Sequence, residues 1–299
     1  MRTPPLLTLA AALALGGCTQ ADAAHERADA ARATGATARI VAAAAGAGAV
    51  ARPHEVIVRT RDFAFAAPDT VESGTTTFRL INDGPDFHHL LLVRLEDGHT
   101  ATELMQALAQ HGPPPAWATL VGGPNTPGQP GLETRATLAL TPGNYVMLCV
   151  IPAKDGKPHI AHGMVKPLTV VPSRRPTVAL PPADLVMTLD DYSFRTSRTI
   201  AAGRQTIRIE NAAQQPHEVV IVKLQPGKTA HDMLAFMAKP AGSPPGTIVG
   251  GNTPMAKGQR NQITVDFTPG EYALLCFVPD AGDGKPHFLH GMVQQITVS

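Results

Sequence analysis

The sequence predicts an all-β protein of two tandem Greek-key β-sandwich domains, each with one inserted short helix. Three observations carry this. The second half echoes the first at an offset of 127 to 129 residues, so a unit of about 118 residues occurs twice within 299. Such a unit is far too long for a solenoid repeat and has the size of a whole domain. Within each unit, six to eight short apolar runs are bounded by Gly, Pro, Asn and Asp, which is how the strands of a sandwich read. One stretch per unit instead spaces its apolar residues three and four apart, as a helix does.

In chain order, Arg2 precedes an Ala/Leu-rich run over residues 6 to 15 that ends in "LGGC". Residues 1–17 therefore read as a secretory signal peptide, too short to span a membrane as a helix. Gly16 and Gly17 directly before Cys18 resemble the lipobox of bacterial lipoproteins. That resemblance implies cleavage before Cys18, diacylation of its thiol and a membrane anchor; the alternative is ordinary secretion with Cys18 discarded. Residues 18–53 are Ala-rich without a strong apolar period and read as a tether. The expected location is exported and periplasmic, on the inner or outer membrane. Thr19 stands where Asp is linked to inner-membrane retention, which favours the outer one.

Domain one is expected over 54–172, a Pro-rich linker over 173–183 and domain two over 184–299. Residues 78–95 match 207–224, "VGGPNTP" (121–127) matches "VGGNTP" (249–254), and 140–170 match 267–298. Strands are expected over 76–81 and 204–209, and in "HHLLLVRL", "NYVMLCVI" and "GMVKPLTVV". Residues 100–110 and 229–239 each open on Thr, a good N-cap. They predict the two helices, with Met105, Met233 and Met237 packing into the core. The glycines of the paired "GG…NTP" loops read as serving backbone geometry.

Composition excludes several functions. With 25 Lys+Arg against 24 Asp+Glu the net charge is +1, no footprint for nucleic acid. Three cysteines are too few for a disulfide framework, and no C-x-x-C or C-x-x-C-H spacing occurs. G-x-G-x-x-G after a strand, a Walker loop, G-x-S-x-G and H-E-x-x-H are all missing.

Each repeat does place a His at a strand start (His88, His217) and a Cys at a later strand end (Cys149, Cys276). A turn-rich loop then carries a second His (His159, His287) and, five residues on, a Met (Met164, Met292). Two imidazoles, a thiolate and a weak thioether are the donor set of a blue-copper electron-transfer site. The plainer reading is that the cysteines are buried small hydrophobes, or pair with each other as a disulfide, and that the histidines are satisfied strand-end residues.

At these residues the sequence resembles the cupredoxins, the type 1 blue copper proteins, over nearly all of both repeats. "NDGPDFH" and "NAAQQPH", the "PG-x-Y…C" strand and the "H-x-x-x-G-M" loop end carry the resemblance. It implies cupredoxin-like domains with copper ligands at His88, Cys149, His159 and Met164, and at His217, Cys276, His287 and Met292. The chain departs from the family in two ways. Nine residues separate Cys from His in the first repeat and ten in the second, close to the copper nitrite reductases. His89 and Glu218 stand where the family commonly has Asn after the first His. His89, His162 and His290 are alternative ligands, the last two lying two residues before each Met. Asp155, Lys157, Asp283 and Lys285 read as solvated.

In the copper oxidases and nitrite reductases, His residues beside the type 1 Cys or in H-x-H pairs lead to further coppers. Cys149 lies between Leu148 and Val150, Cys276 lies between Leu275 and Phe277, and no H-x-H occurs. The expectation is thus no enzyme but a membrane-tethered, single-electron carrier with one type 1 copper per repeat and unidentified redox partner proteins. The alternatives are a copper storage or tolerance protein, or a metal-free cupredoxin-like interaction module.

Overall fold

A computed structural model describes residues 52–110, 114–174 and 178–299. The signal segment, Cys18 and nearly all of the tether lie outside these residues, as does His111. Within Arg52–Ser299 the chain is one compact unit, and it is mostly β-strand. The first repeat runs β1 (His54–Arg61), β2 (Ala64–Ala66), β3 (Thr70–Glu72), β4 (Gly74–Asn82), β5 (Leu91–Leu95), α1 (Ala101–Leu108), β6 (Ala118–Gly122), β7 (Glu133–Leu140), β8 (Gly143–Leu148) and β9 (Val165–Val171). The second runs β10 (Leu185–Asp190), β11 (Ser193–Thr196), β12 (Gly203–Asn211), β13 (His217–Leu224), α2 (Ala230–Ala238), β14 (Gly246–Met255), β15 (Arg260–Phe267), β16 (Gly270–Leu275) and β17 (Val293–Val298). Among the described residues no helix is long and apolar enough to cross a membrane.

The strands form two sheets, and each sheet takes strands from both repeats. One has the order β11-β10-β12-β15-β7-β4-β1-β2, the other β17-β16-β13-β14-β6-β5-β8-β9-β3. Equivalent strands meet at the middle of each sheet: β15 pairs antiparallel with β7, and β14 with β6. Two tandem sandwich domains were the expectation, whereas the sheets run through both halves. The physical reason is that each repeat leaves an edge of unpaired N–H and C=O groups, and the equivalent edge of its twin pairs with it.

The burial patterns follow from this layering. Strands of the eight-stranded sheet alternate, as in the outward Glu55, Ile57 and Arg59 against the inward Val56 and Val58 of β1. Their inner residues, with Phe78 and Leu80, share one core with Leu92, Tyr145 and Met147 of the other sheet. β5 and β13 are buried almost continuously, because their second face is covered as well. There Leu91, Val93 and Leu95 pack with Leu104 of α1, and Val220, Val222 and Leu224 with Met233 of α2. Truncating a fully buried leucine such as Leu92 to Ala costs about 2–5 kcal/mol. Thr100 and Thr229 are the helix N-caps, each in a capping box, closed by Glu103 and Asp232.

Candidate metal centre

His88 and His217 arrive by a loop that an asparagine folds. The Asn82 side chain accepts from the Gly84 N–H at 3.1 Å and donates to the Asp86 carbonyl at 2.8 Å. Asn211 does the same with the Ala213 N–H and the Gln215 carbonyl, at 3.0 and 2.9 Å. An Asx turn of this kind satisfies loop backbone that a sheet would otherwise satisfy. Each loop so folded ends two residues before the histidine.

Cys, His and Met are drawn together by backbone bonds. Cys149 N–H donates to the Met164 carbonyl (3.4 Å), Ile160 N–H to the Cys149 carbonyl (2.9 Å) and Met164 N–H to the His159 carbonyl (3.0 Å). In the second repeat Cys276, Phe288 and Met292 repeat the pattern toward Met292, Cys276 and His287, at 3.3, 3.0 and 3.0 Å. Between His and Met a single 3-10 turn ends on Gly163 (φ 93°) or Gly291 (φ 99°). Only glycine takes that left-handed corner without strain, which accounts for the Gly of the "GM" pair. Both methionines are completely buried.

The result is two buried groups, His88/Cys149/His159 and His217/Cys276/His287, each with its ligand-type atoms within 4.8 Å of one another. In the first, Nδ1 of His159 lies 3.1 Å from Nδ1 of His88 and 3.4 Å from Sγ of Cys149. In the second, Nδ1 of His287 lies 2.9 Å from Nδ1 of His217, and Sγ of Cys276 lies 3.5 and 3.8 Å from the two rings. Both thiols are free.

The donor set of the second group fits a cation. His217 Nε2 faces Asp191 Oδ1 at 3.4 Å, and His287 Nε2 faces Gln215 Oε1 at 3.4 Å. Oε1 is the amide oxygen, since it accepts from Ala281 N–H while Nε2 donates to Asp280. Both Nε2 atoms therefore carry hydrogen, and both Nδ1 atoms turn lone pairs toward one centre. Burial, then the neighbouring His217, push His287 down to about 4, so a proton is a poor candidate for that centre at neutral pH. Burial pushes the Cys149 thiol up to about 11 and raises Cys276 further, so each thiolate depends on a bound cation to form. Two nitrogens and a thiolate are the chemistry of copper, and both clusters support copper binding.

The remaining sequence candidates fall elsewhere. His162 and His290 face outward, paired with Asp155 and Asp283 at 3.2 and 3.1 Å. His89 is buried but its Nε2 accepts from Val150 N–H at 3.1 Å; burial pushes it down to about 3. Glu218 stands equivalently, Oε1 accepting from Phe277 N–H at 3.1 Å, and burial pushes it up to about 7.

Sequence reasoning missed Asp62 and Phe63, with Asp191 and Tyr192. Phe63 (φ 62°) and Tyr192 (φ 58°) are aromatic residues in left-handed backbone, a costly conformation held twice at equivalent turns. These turns set Asp62 at 3.4 Å from His88 Nε2, as Asp191 is from His217, and lay an aromatic edge against His159 or His287. Such carboxylates fix the tautomer of a ligating histidine. The spacing signal was available, since Asp62 and Asp191 differ by the same 129 residues as the histidines.

No family model and no curated protein matches the chain. Among solved structures, reduced auracyanin from Roseiflexus castenholzii is 25% identical over 41% of this chain and 100% of its own, with TM-score 0.28. A multicopper oxidase is 17% identical over 83% of this chain and 89% of its own, TM-score 0.23. The blue copper oxidase of Nitrosomonas europaea is 16% identical over 83% and 86%, TM-score 0.24. The expectation of no enzyme is corrected here: both of these oxidases, each matched over 83% of this chain, are named as enzymes. The missing relay motif was a test of residues adjacent in sequence. Adjacency in sequence does not decide which residues meet, as His88 and His159, 71 positions apart, show.

Proposed function

We propose that this protein is an exported, lipid-tethered single-electron carrier with one type 1 copper in each of two cupredoxin-like Greek-key repeats. His88, Cys149, His159 and Met164 hold the first copper, and His217, Cys276, His287 and Met292 the second. The observation that carries the reading is the twofold convergence of a buried thiol with two Nδ1 atoms at the same loop ends. Copper supplies the one-electron couple. The chain supplies two imidazoles per cluster, the far nitrogens of His88, His217 and His287 being tied to Asp62, Asp191 and Gln215, and a thiol whose backbone is bonded to that of the methionine. Donors fixed in this way change little between oxidation states. Redox partner proteins are its expected partners, and the periplasm, reached by the signal segment, its site of work.

Metal analysis with an optical spectrum of periplasmically expressed protein tests this. The expected outcome is two coppers per chain and an intense thiolate-to-Cu(II) band. Cys149→Ser and Cys276→Ser should each remove one copper and its share of the band, and together all of it. Copper bound without the band would overturn the carrier in favour of storage, and protein that takes up none would leave only an interaction module.

A further inference from the structure

The paired "GG…NTP" loops have no part in either cluster, yet they lie where the repeats join. Pro124 and Asn252 form a β-bridge, Asn125 N–H donates to the Gly251 carbonyl at 3.1 Å, and Thr253 N–H to that of Gly123 at 2.9 Å. Gly123 and Gly251 permit this approach. A Cβ on Gly123 would stand 2.3 Å from the Leu90 carbonyl oxygen and one on Gly251 1.9 Å from that of Val219. Leu90 and Val219 each follow a first histidine by two residues. The loops therefore press directly on the segments that carry His88 and His217.

One contact goes further. Asn125 of the first repeat, 2% exposed, donates from Nδ2 to Oε2 of Glu218 in the second, 5% exposed, at 3.2 Å. The other oxygen of Glu218 accepts the Phe277 N–H, and the Glu218 N–H reaches Cys276 Sγ at 3.5 Å. Asn125 is itself oriented, its Oδ1 accepting from Thr126 N–H at 2.8 Å. Its counterpart Asn252 is engaged inside its own repeat, donating to the Thr253 carbonyl and accepting from Asn261. In the direction of the first cluster the second loop sends Thr253, whose hydroxyl meets the Leu90 carbonyl at 3.1 Å.

We propose that Asn125 is a positioning residue of the second metal centre, which is thus completed by a side chain from the other repeat, while the residue after the first histidine of the first centre, His89, takes no such partner from the second loop among the described residues. The proposal rests on the copper reading of these clusters. Asn125 acts through Glu218: with its Oε2 satisfied, the carboxylate is held against Phe277 N–H and fixes the backbone that aims the Cys276 sulfur. Without Asn125 a buried carboxylate oxygen loses its partner, and the side chain must turn to find another.

The test uses the full chain with one cluster disabled at a time. In Cys149→Ser protein, which retains the second cluster, Asn125→Ala should speed copper loss to a chelator about tenfold or more and shift the thiolate-to-Cu(II) band. In Cys276→Ser protein the same substitution should leave both readouts unchanged, and Asn252→Ala should not imitate it. Glu218→Gln alone should resemble Asn125→Ala, because two amide N–H₂ groups then face each other. Combining it with Asn125→Asp should restore the band, since the new amide donates to the new carboxylate; this pair also guards against simple misfolding. In metal-free protein the Phe277 amide should exchange faster in Asn125→Ala while that of Val150 does not. Equal changes in both single-cluster proteins, no change in either, or failure of the pair to rescue would overturn the proposal. If neither parent binds copper the functional reading fails, and the Phe277 amide still decides whether the tether exists.

Discussion

The two His–Cys–His clusters share their donors and differ in what surrounds them. In the second, His287 Nε2 meets Gln215, and Gln215 is locked by Tyr192 and Asp280, which also accepts from the Tyr192 hydroxyl. In the first, the equivalent positions are Asp86, Phe63 and Ala153, and His159 Nε2 is buried with no hydrogen-bond partner among the described residues. The residue after the first His is a neutral imidazole in one centre and a carboxyl group in the other. Duplication preserved the atoms that face the centre and left the supporting shell to diverge. In metal sites it is that shell which sets ligand orientation and metal retention.

The largest expected effect tests this brace. Asp280→Ala, in protein whose first cluster is disabled, should make copper about 10- to 100-fold easier to remove by a chelator. Moving the brace into the first repeat, as Phe63→Tyr, Asp86→Gln and Ala153→Asp together, should slow copper loss from the first centre. If Asp280→Ala leaves retention unchanged, the network is not what separates the two centres.

The halves differ in how far the sequence disclosed them. Ligand candidates were legible because His, Cys and Met recur in one order at offsets of 127 to 129, and the helices because Thr100 and Thr229 precede an apolar period. The shell was not. Phe63 and Tyr192 could not be singled out, since a positive φ in a bulky residue leaves no mark on the sequence. Asn125 and Glu218 are 93 positions apart and in different repeats, so nothing local joins them. The sharing of both sheets between repeats was hidden for the same reason: strand edges that pair with their own twin carry no signal beyond that of any strand.

Where the repeats have not diverged, equal effects are expected. Tyr145 and Tyr272 are buried, and each hydroxyl both donates to a carbonyl and accepts an N–H of one residue, Thr141 or Thr268, at 2.9 to 3.2 Å. Tyr145→Phe and Tyr272→Phe should each cost about 1–2 kcal/mol in denaturant titrations. A marked inequality would extend the divergence from the metal centres to the sheet corners.

The helix caps give the smallest effect and the sharpest control. Thr100 Oγ1 accepts the Glu103 N–H at 3.2 Å and Thr229 Oγ1 the Asp232 N–H at 3.1 Å, with each carboxylate returning a bond to the Thr N–H. Thr100→Ala or Thr229→Ala should cost about 1 kcal/mol, a fall in Tm of roughly 2–4 °C for a unit of this size. Because β7 pairs with β15 and β6 with β14, either loss should lower the same single transition rather than split it. α1 and α2 pack on the face of the sheet away from the common core, so both copper bands should stay where they are. Two transitions in calorimetry would show that the halves unfold separately despite their shared sheets, and would make the bridge at Asn125 a contact between independent bodies.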